Sequence, residues 1–126
     1  MKLKALPGYV ERRRAIAAHY REGMAGLPLA LPSEAPGCRH AYHLFVLRTD
    51  RRDALEAHLQ KEGIGTGRHY PLPVHKQPGL AAGARIPAPL AVTERIGAHI
   101  LSLPMFSTMT DDQADRVIAA VKGFFS

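Results

Sequence analysis

At 126 residues the chain is long enough for one hydrophobic core and too short for two, so a single domain over 1–126 is expected. Its 46% hydrophobic and 22% charged residues are ordinary for a globular domain, and no stretch approaches the roughly 18 consecutive apolar residues that a membrane span requires. Seventeen Lys and Arg against eleven Asp and Glu leave a formal charge of +6; because the basic residues are scattered and Trp is absent, the pattern argues against nucleic acid and for a solvated surface beside an acidic domain or subunit.

The single cysteine, Cys38, forms no internal disulfide, and Met1 to Lys4 followed by Pro7 and Gly8 lacks the apolar core of a signal peptide. Both features fit the cytoplasm.

In chain order, residues 9–24 read as a helix with Val10, Ile16, Ala17, Tyr20 and Met24 near one narrow stripe. Pro and Gly between Leu27 and Gly37 end it. Arg39 to Arg48 reads as a strand, after which Asp50 is placed to cap a helix that carries Leu55 and Leu59 and closes at Gly63. Residues 64–70 suggest another strand, weakened by Gly65 and Gly67, which invite close approach of backbone or ligand. Residues 71–89 form a long Pro- and Gly-containing loop. A helix over 90–99 then leads into a strand from Ile100 to Pro104. Thr110 and Gln113 make a capping box for a last helix whose apolar face carries Ala114, Val117, Ile118, Val121 and Phe125. The sum is an α/β or α+β sandwich: about four helices on a small antiparallel or mixed sheet of about three strands.

The chemistry concentrates between Gly63 and Pro78. Pro71, Pro73 and Pro78 stiffen the backbone and remove donors, so the segment suits a surface rim. It presents His69, Tyr70, His75, Lys76 and Gln77, and ordering polar side chains on a stiff loop is costly unless a ligand or interface uses them. Metal is not expected: on a strand His40 and His43 point to opposite faces, and no carboxylate or cysteine lies between His69 and His75 to complete a ligand set. No nucleophile motif and no Gly-x-x-x-x-Gly-Lys phosphate loop is present.

Taken together, the ordered pieces resemble a known family. They are Arg12-Arg13-Arg14-Ala15-Ile16-Ala17, His40-Ala41-Tyr42-His43-Leu44-Phe45-Val46, Arg52-Asp53-Ala54-Leu55, Gly63-Ile64-Gly65-Thr66-Gly67-Arg68-His69-Tyr70-Pro71 with His75 and Gln77, Glu94-Arg95, Ile100-Leu101-Ser102-Leu103-Pro104, and Met109-Thr110 with Gln113-Ala114-Asp115. Across nearly the whole chain this pattern is similar to the C-terminal small domain of DegT/DnrJ-family nucleotide-sugar aminotransferases, PLP-dependent enzymes with the aspartate aminotransferase fold. The resemblance implies that residues 1–26 connect to a large N-terminal domain holding the Schiff-base lysine. It implies PLP in the full-length enzyme, a keto nucleotide-sugar substrate used in surface-polysaccharide or antibiotic-sugar synthesis, and a homodimer. His69, Tyr70 and Arg68 are the implied substrate contacts, with His75, Lys76 and Gln77 facing substrate or the neighbouring subunit. None of Lys2, Lys4, Lys61, Lys76 and Lys122 lies in the family's Ser-x-x-Lys setting, so this chain is expected to bind no cofactor, to hold no catalytic residue and to be inactive alone. The alternative is a standalone module that keeps the fold and binds a small molecule or a protein.

Overall fold

The computed structural model describes residues 2–81, 83, 85 and 89–126. In chain order they form α1 (Lys2–Gly23), β1 (Phe45–Arg48), α2 (Arg52–Lys61), a 3-10 turn (Val74–Lys76), α3 (Pro78–Ala81), α4 (Ala91–His99), β2 (Ile100–Leu103) and α5 (Asp111–Phe125). The two strands pair antiparallel, with Phe45 opposite Leu103 and Leu47 opposite Leu101. Side chains alternate across a strand, so these four fall on one face and Val46, Arg48, Ile100 and Ser102 on the other.

The first face carries the core. Phe45, Leu47 and Leu101 are fully buried with Leu55 and Leu59 of α2. Helix α1 adds Ile16, Ala17 and Tyr20, the turn after it adds Met24, and α5 adds Ala114, Val117 and Val121. The rings of Tyr20 and Phe45 meet edge-on at 5.0 Å, and the Tyr20 hydroxyl donates to the Pro104 carbonyl at 2.9 Å. Burial pushes the Tyr20 phenol upward from its ordinary value.

Local signals account for the helix ends. Thr110 and Gln113 form the reciprocal capping box expected at the start of α5. At the end of α2, Gly63 takes φ +70° while its N–H bonds to Gln60 and that of Ile64 to Leu59, a Schellman closure in which Ile64 and Leu59 are both buried. Asp50 does not cap α2; Arg51 stands at the cap position without a side-chain bond.

Two strand expectations change. The strand read over 39–48 begins only at Phe45, because α1 claims the backbone before it: Arg14 donates to the His40 carbonyl at 2.7 Å and Arg13 to that of Ala41 at 3.2 Å, while Tyr42 sits at φ 46°. His40 and His43 are therefore not on a strand, and their alternation does not apply. The strand read over 64–70 shrinks to one bridge, Gly67 with Ser102, matched on the other edge by Ala30 with Arg48. The sheet thus has two strands with a single paired residue on each flank. In α1 the helix runs back to Lys2 through Pro7, which removes one backbone donor.

Candidate functional site

The second face of the sheet is where polar chemistry collects. Ser102 lies on it, buried in the middle of an otherwise apolar β2, and exchanges two backbone bonds with Gly67 at 3.0 and 2.7 Å. Gly67 has to be small: a Cβ there would stand 2.8 Å from Cε1 of His69. The imidazole occupies that space and its Nδ1 lies 2.9 Å from the Ser102 hydroxyl. This bond fixes the ring and leaves Nε2 without a partner among the described residues. Tyr70 stands edge-on to the ring at 5.6 Å and is 74% exposed.

Beside this pair a cavity of about 650 Å³ opens between the Pro-rich segment and α4. Leu72, Val74, Val92 and Ile96 make its walls apolar, and His69, Tyr70, Thr93 and Gln77 supply polar groups. Few polar groups on apolar walls is the usual make-up of a small-molecule site. Gln77 braces the rim by donating to the Leu72 carbonyl at 3.1 Å. A second brace ties the rim to α4: Glu94 accepts from Lys76 Nζ at 2.8 Å and faces His75 Nε2 at 3.1 Å. The hydrogen bond from Lys76, then that from His75, holds the Glu94 carboxyl below its ordinary range.

The six residues read from the sequence therefore divide. His69, Tyr70 and Gln77 line the cavity, whereas His75 and Lys76 stand behind its rim on Glu94. Arg68 is turned to α2, where its guanidinium meets Glu56, with Nε donating at 2.9 Å, and Asp53 at 2.8 Å. Those two carboxylates, Glu56 first, raise its already high value. Its charge is engaged inside the fold. Sequence reasoning did not single out Ser102 or Glu94 as site residues. A lone serine between leucines was the available signal for the first; Glu94 carried no local sign, since its partners lie 18 and 19 positions earlier.

Among the described residues no lysine lines the cavity beside His69, and Lys76 is held by Glu94.

Residues 1–122 match the model of the DegT/DnrJ/EryC1/StrS aminotransferase family. The chain is 43% identical over 123 residues to a dTDP-3-amino-3,4,6-trideoxy-alpha-D-glucose transaminase of Streptomyces venezuelae, covering 97% of this chain and 32% of that protein. It is 35% identical over 117 residues to a UDP-N-acetyl-3-dehydro-alpha-D-glucosamine 3-aminotransferase of Acidithiobacillus ferrooxidans, covering 93% and 31%. The crystal structure of S. venezuelae DesV in complex with a ketimine intermediate superposes with a TM-score of 0.93 at 42% identity, covering 98% of this chain and 34% of that one. The chain thus spans about a third of the length of these relatives. Matched over nearly all of its own length, it belongs to the DegT/DnrJ/EryC1/StrS aminotransferase family.

Proposed function

We propose that the chain is the C-terminal small domain of a PLP-dependent transaminase that places an amino group on a keto nucleotide sugar, for surface-polysaccharide or antibiotic-sugar synthesis. The observation that carries this reading is His69, pinned by Ser102 at the mouth of a largely apolar cavity, in a chain that matches sugar transaminases over its length. In this reading a large N-terminal portion supplies PLP and its lysine, and residues 1–26 connect to it. The complete enzyme is a cytoplasmic homodimer. His69 Nε2 offers the polar contact to the sugar-nucleotide and Tyr70 packs beside it. Gln77 holds the rim, and His75 and Lys76 shape it through Glu94. Arg68, first read as a substrate contact, has its charge taken by Glu56 and Asp53, so it positions the segment that carries His69. PLP supplies the electron sink when bound; no chemical step is assigned to residues of this chain.

Two measurements test the proposal. The chain mixed with PLP is expected to show no stable aldimine band; such a band, fixed by borohydride to one lysine in preference to the others, overturns the assignment of inactivity. Grafted onto the remaining portion of the S. venezuelae relative, the chain is expected to give a folded transaminase in which His69→Ala lowers kcat/KM by about tenfold, the loss of one hydrogen bond to substrate. A chimera that folds, binds PLP and ignores His69→Ala overturns the site.

A further inference from the structure

A second cavity, of about 440 Å³, lies across α4 from the first and shares Ile96 with it. Arg48, Arg95 and His99 line it, together with Ala30, Thr49 and Asp50. The fold brings the two arginines there by independent routes. Arg48 ends β1 on the half-covered face of the sheet, fixed by its backbone bonds to Ala30 at 2.8 and 2.9 Å. Arg95 and His99 stand one turn apart on α4, four positions apart and so on one side of the helix, and Thr49 N–H bonds to the His99 carbonyl at 3.1 Å to lock α4 against the end of β1.

Arg12, Arg14, Arg39, Arg52 and Arg68 each have a carboxylate partner within the fold. Among the described residues Arg48 and Arg95 have none, although they line the same concavity. Arg13, Arg21, Arg51 and Arg116 also have no carboxylate partner among the described residues, and what sets this cavity apart is that two such arginines line it together. The one carboxylate at the rim, Asp50, lies 3.5 Å from His99 Nε2 and is otherwise in solvent. Two arginines lining one concavity give it a positive potential that attracts an anion, and a planar fork of donors suits a carboxylate or a phosphate. The C-terminal end of α4 opposes an anion, but with a partial charge of roughly half a unit against two full cations.

We propose that this cavity is an oxyanion site, holding a carboxylate or phosphate group between the Arg48 and Arg95 guanidiniums. It is separate from the His69 cavity and does not depend on the transaminase reading. Amide chemical shifts of the whole chain, titrated separately with inorganic phosphate and with L-glutamate against sodium chloride of equal ionic strength, identify the chemistry that fills it. Saturable shifts are expected in residues 29–30, 48–50 and 95–99 with at least one of the two anions and not with chloride. Arg48→Gln and Arg95→Gln should each weaken that binding by about tenfold and together abolish it, the loss of one charge-assisted contact apiece. Arg21→Gln, which removes the same charge from an exposed position outside this cavity, should leave it intact. Shifts that chloride reproduces, or an equal loss in Arg21→Gln, would reduce the site to general surface charge and overturn the proposal. Retained helical circular dichroism confirms that each variant is folded, and retained binding in the folded double variant also overturns it.

Discussion

His69 depends on two neighbours that do nothing but make room and hold it. Gly67 contributes the absence of a side chain, and Ser102 contributes one hydroxyl 2.9 Å from Nδ1. Gly67→Ala and Ser102→Ala should therefore converge: the first pushes the ring away, the second removes its anchor. The His69 ring-nitrogen shifts of the two variants are expected to match each other and differ from those of the parent. Each should cost about 1 kcal/mol in urea denaturation, the worth of the one His69–Ser102 hydrogen bond that both variants disrupt. Unchanged ring shifts in Gly67→Ala would show that the imidazole is not seated against that glycine. Glu94 acts at the same scale but through charge. Its carboxyl is held below the ordinary value of 4.5 by Lys76 first and His75 second, so the folded chain binds its proton less readily than the unfolded chain. The stabilisation is complete above that ordinary value and is lost as pH falls through the lower folded value. The gap in urea midpoint between the parent and Glu94→Gln should consequently be widest at neutral pH and close in acid. A gap that is constant with pH would leave the clasp without an electrostatic part.

Among the elements, those closed by their own sequence behave as read. The capping box of α5 lies within four residues, and Thr110→Ala is expected to cost about 1 kcal/mol with an unchanged denaturant slope. Gly63→Ala should cost more, about 1–2 kcal/mol, because the residue is left-handed at φ +70° and a Cβ would also stand 3.3 Å from the Arg116 guanidinium, which grips the Glu62 carbonyl. The order of these two costs, measured by urea denaturation, checks the account. The strand before Phe45 was not legible for the opposite reason. His40 to Leu44 carries strand-forming residues, but its carbonyls are taken by Arg13 and Arg14, whose place on α1 is set 26 to 28 positions away. Propensity describes the competition within a segment and is silent on a distant guanidinium. The rim was legible because proline declares its backbone constraint locally; the ion pairs of Arg68 were not, because the carboxylates it meets sit 12 and 15 residues earlier on α2.

At the scale of the whole molecule, cover is uneven. One face of the sheet is packed by the second half of α1, by α2 and by α5, while among the described residues the other carries α4 and the Pro-rich rim. Within α1 the contrast falls along a single helix: Ile16, Ala17 and Tyr20 are essentially inaccessible, whereas Leu3 is 82% exposed and Leu6 and Tyr9 nearly half exposed. A helix with no buried face is held chiefly by its own hydrogen bonds and unwinds from the open end. Amide protection should therefore rise along α1, from little over residues 3–9 to the level of α5 at residues 16–20, and should be low again over 71–81. Hydrogen exchange read residue by residue, on a sample shown by sedimentation to be monomeric, measures this gradient directly. Residues 3–9 exchanging as slowly as 114–121 would mean that something in the monomer covers Leu3, Leu6 and Tyr9. The expected gradient instead leaves that apolar stretch bare in the chain alone, consistent with its proposed place as the connection to the larger portion of the enzyme.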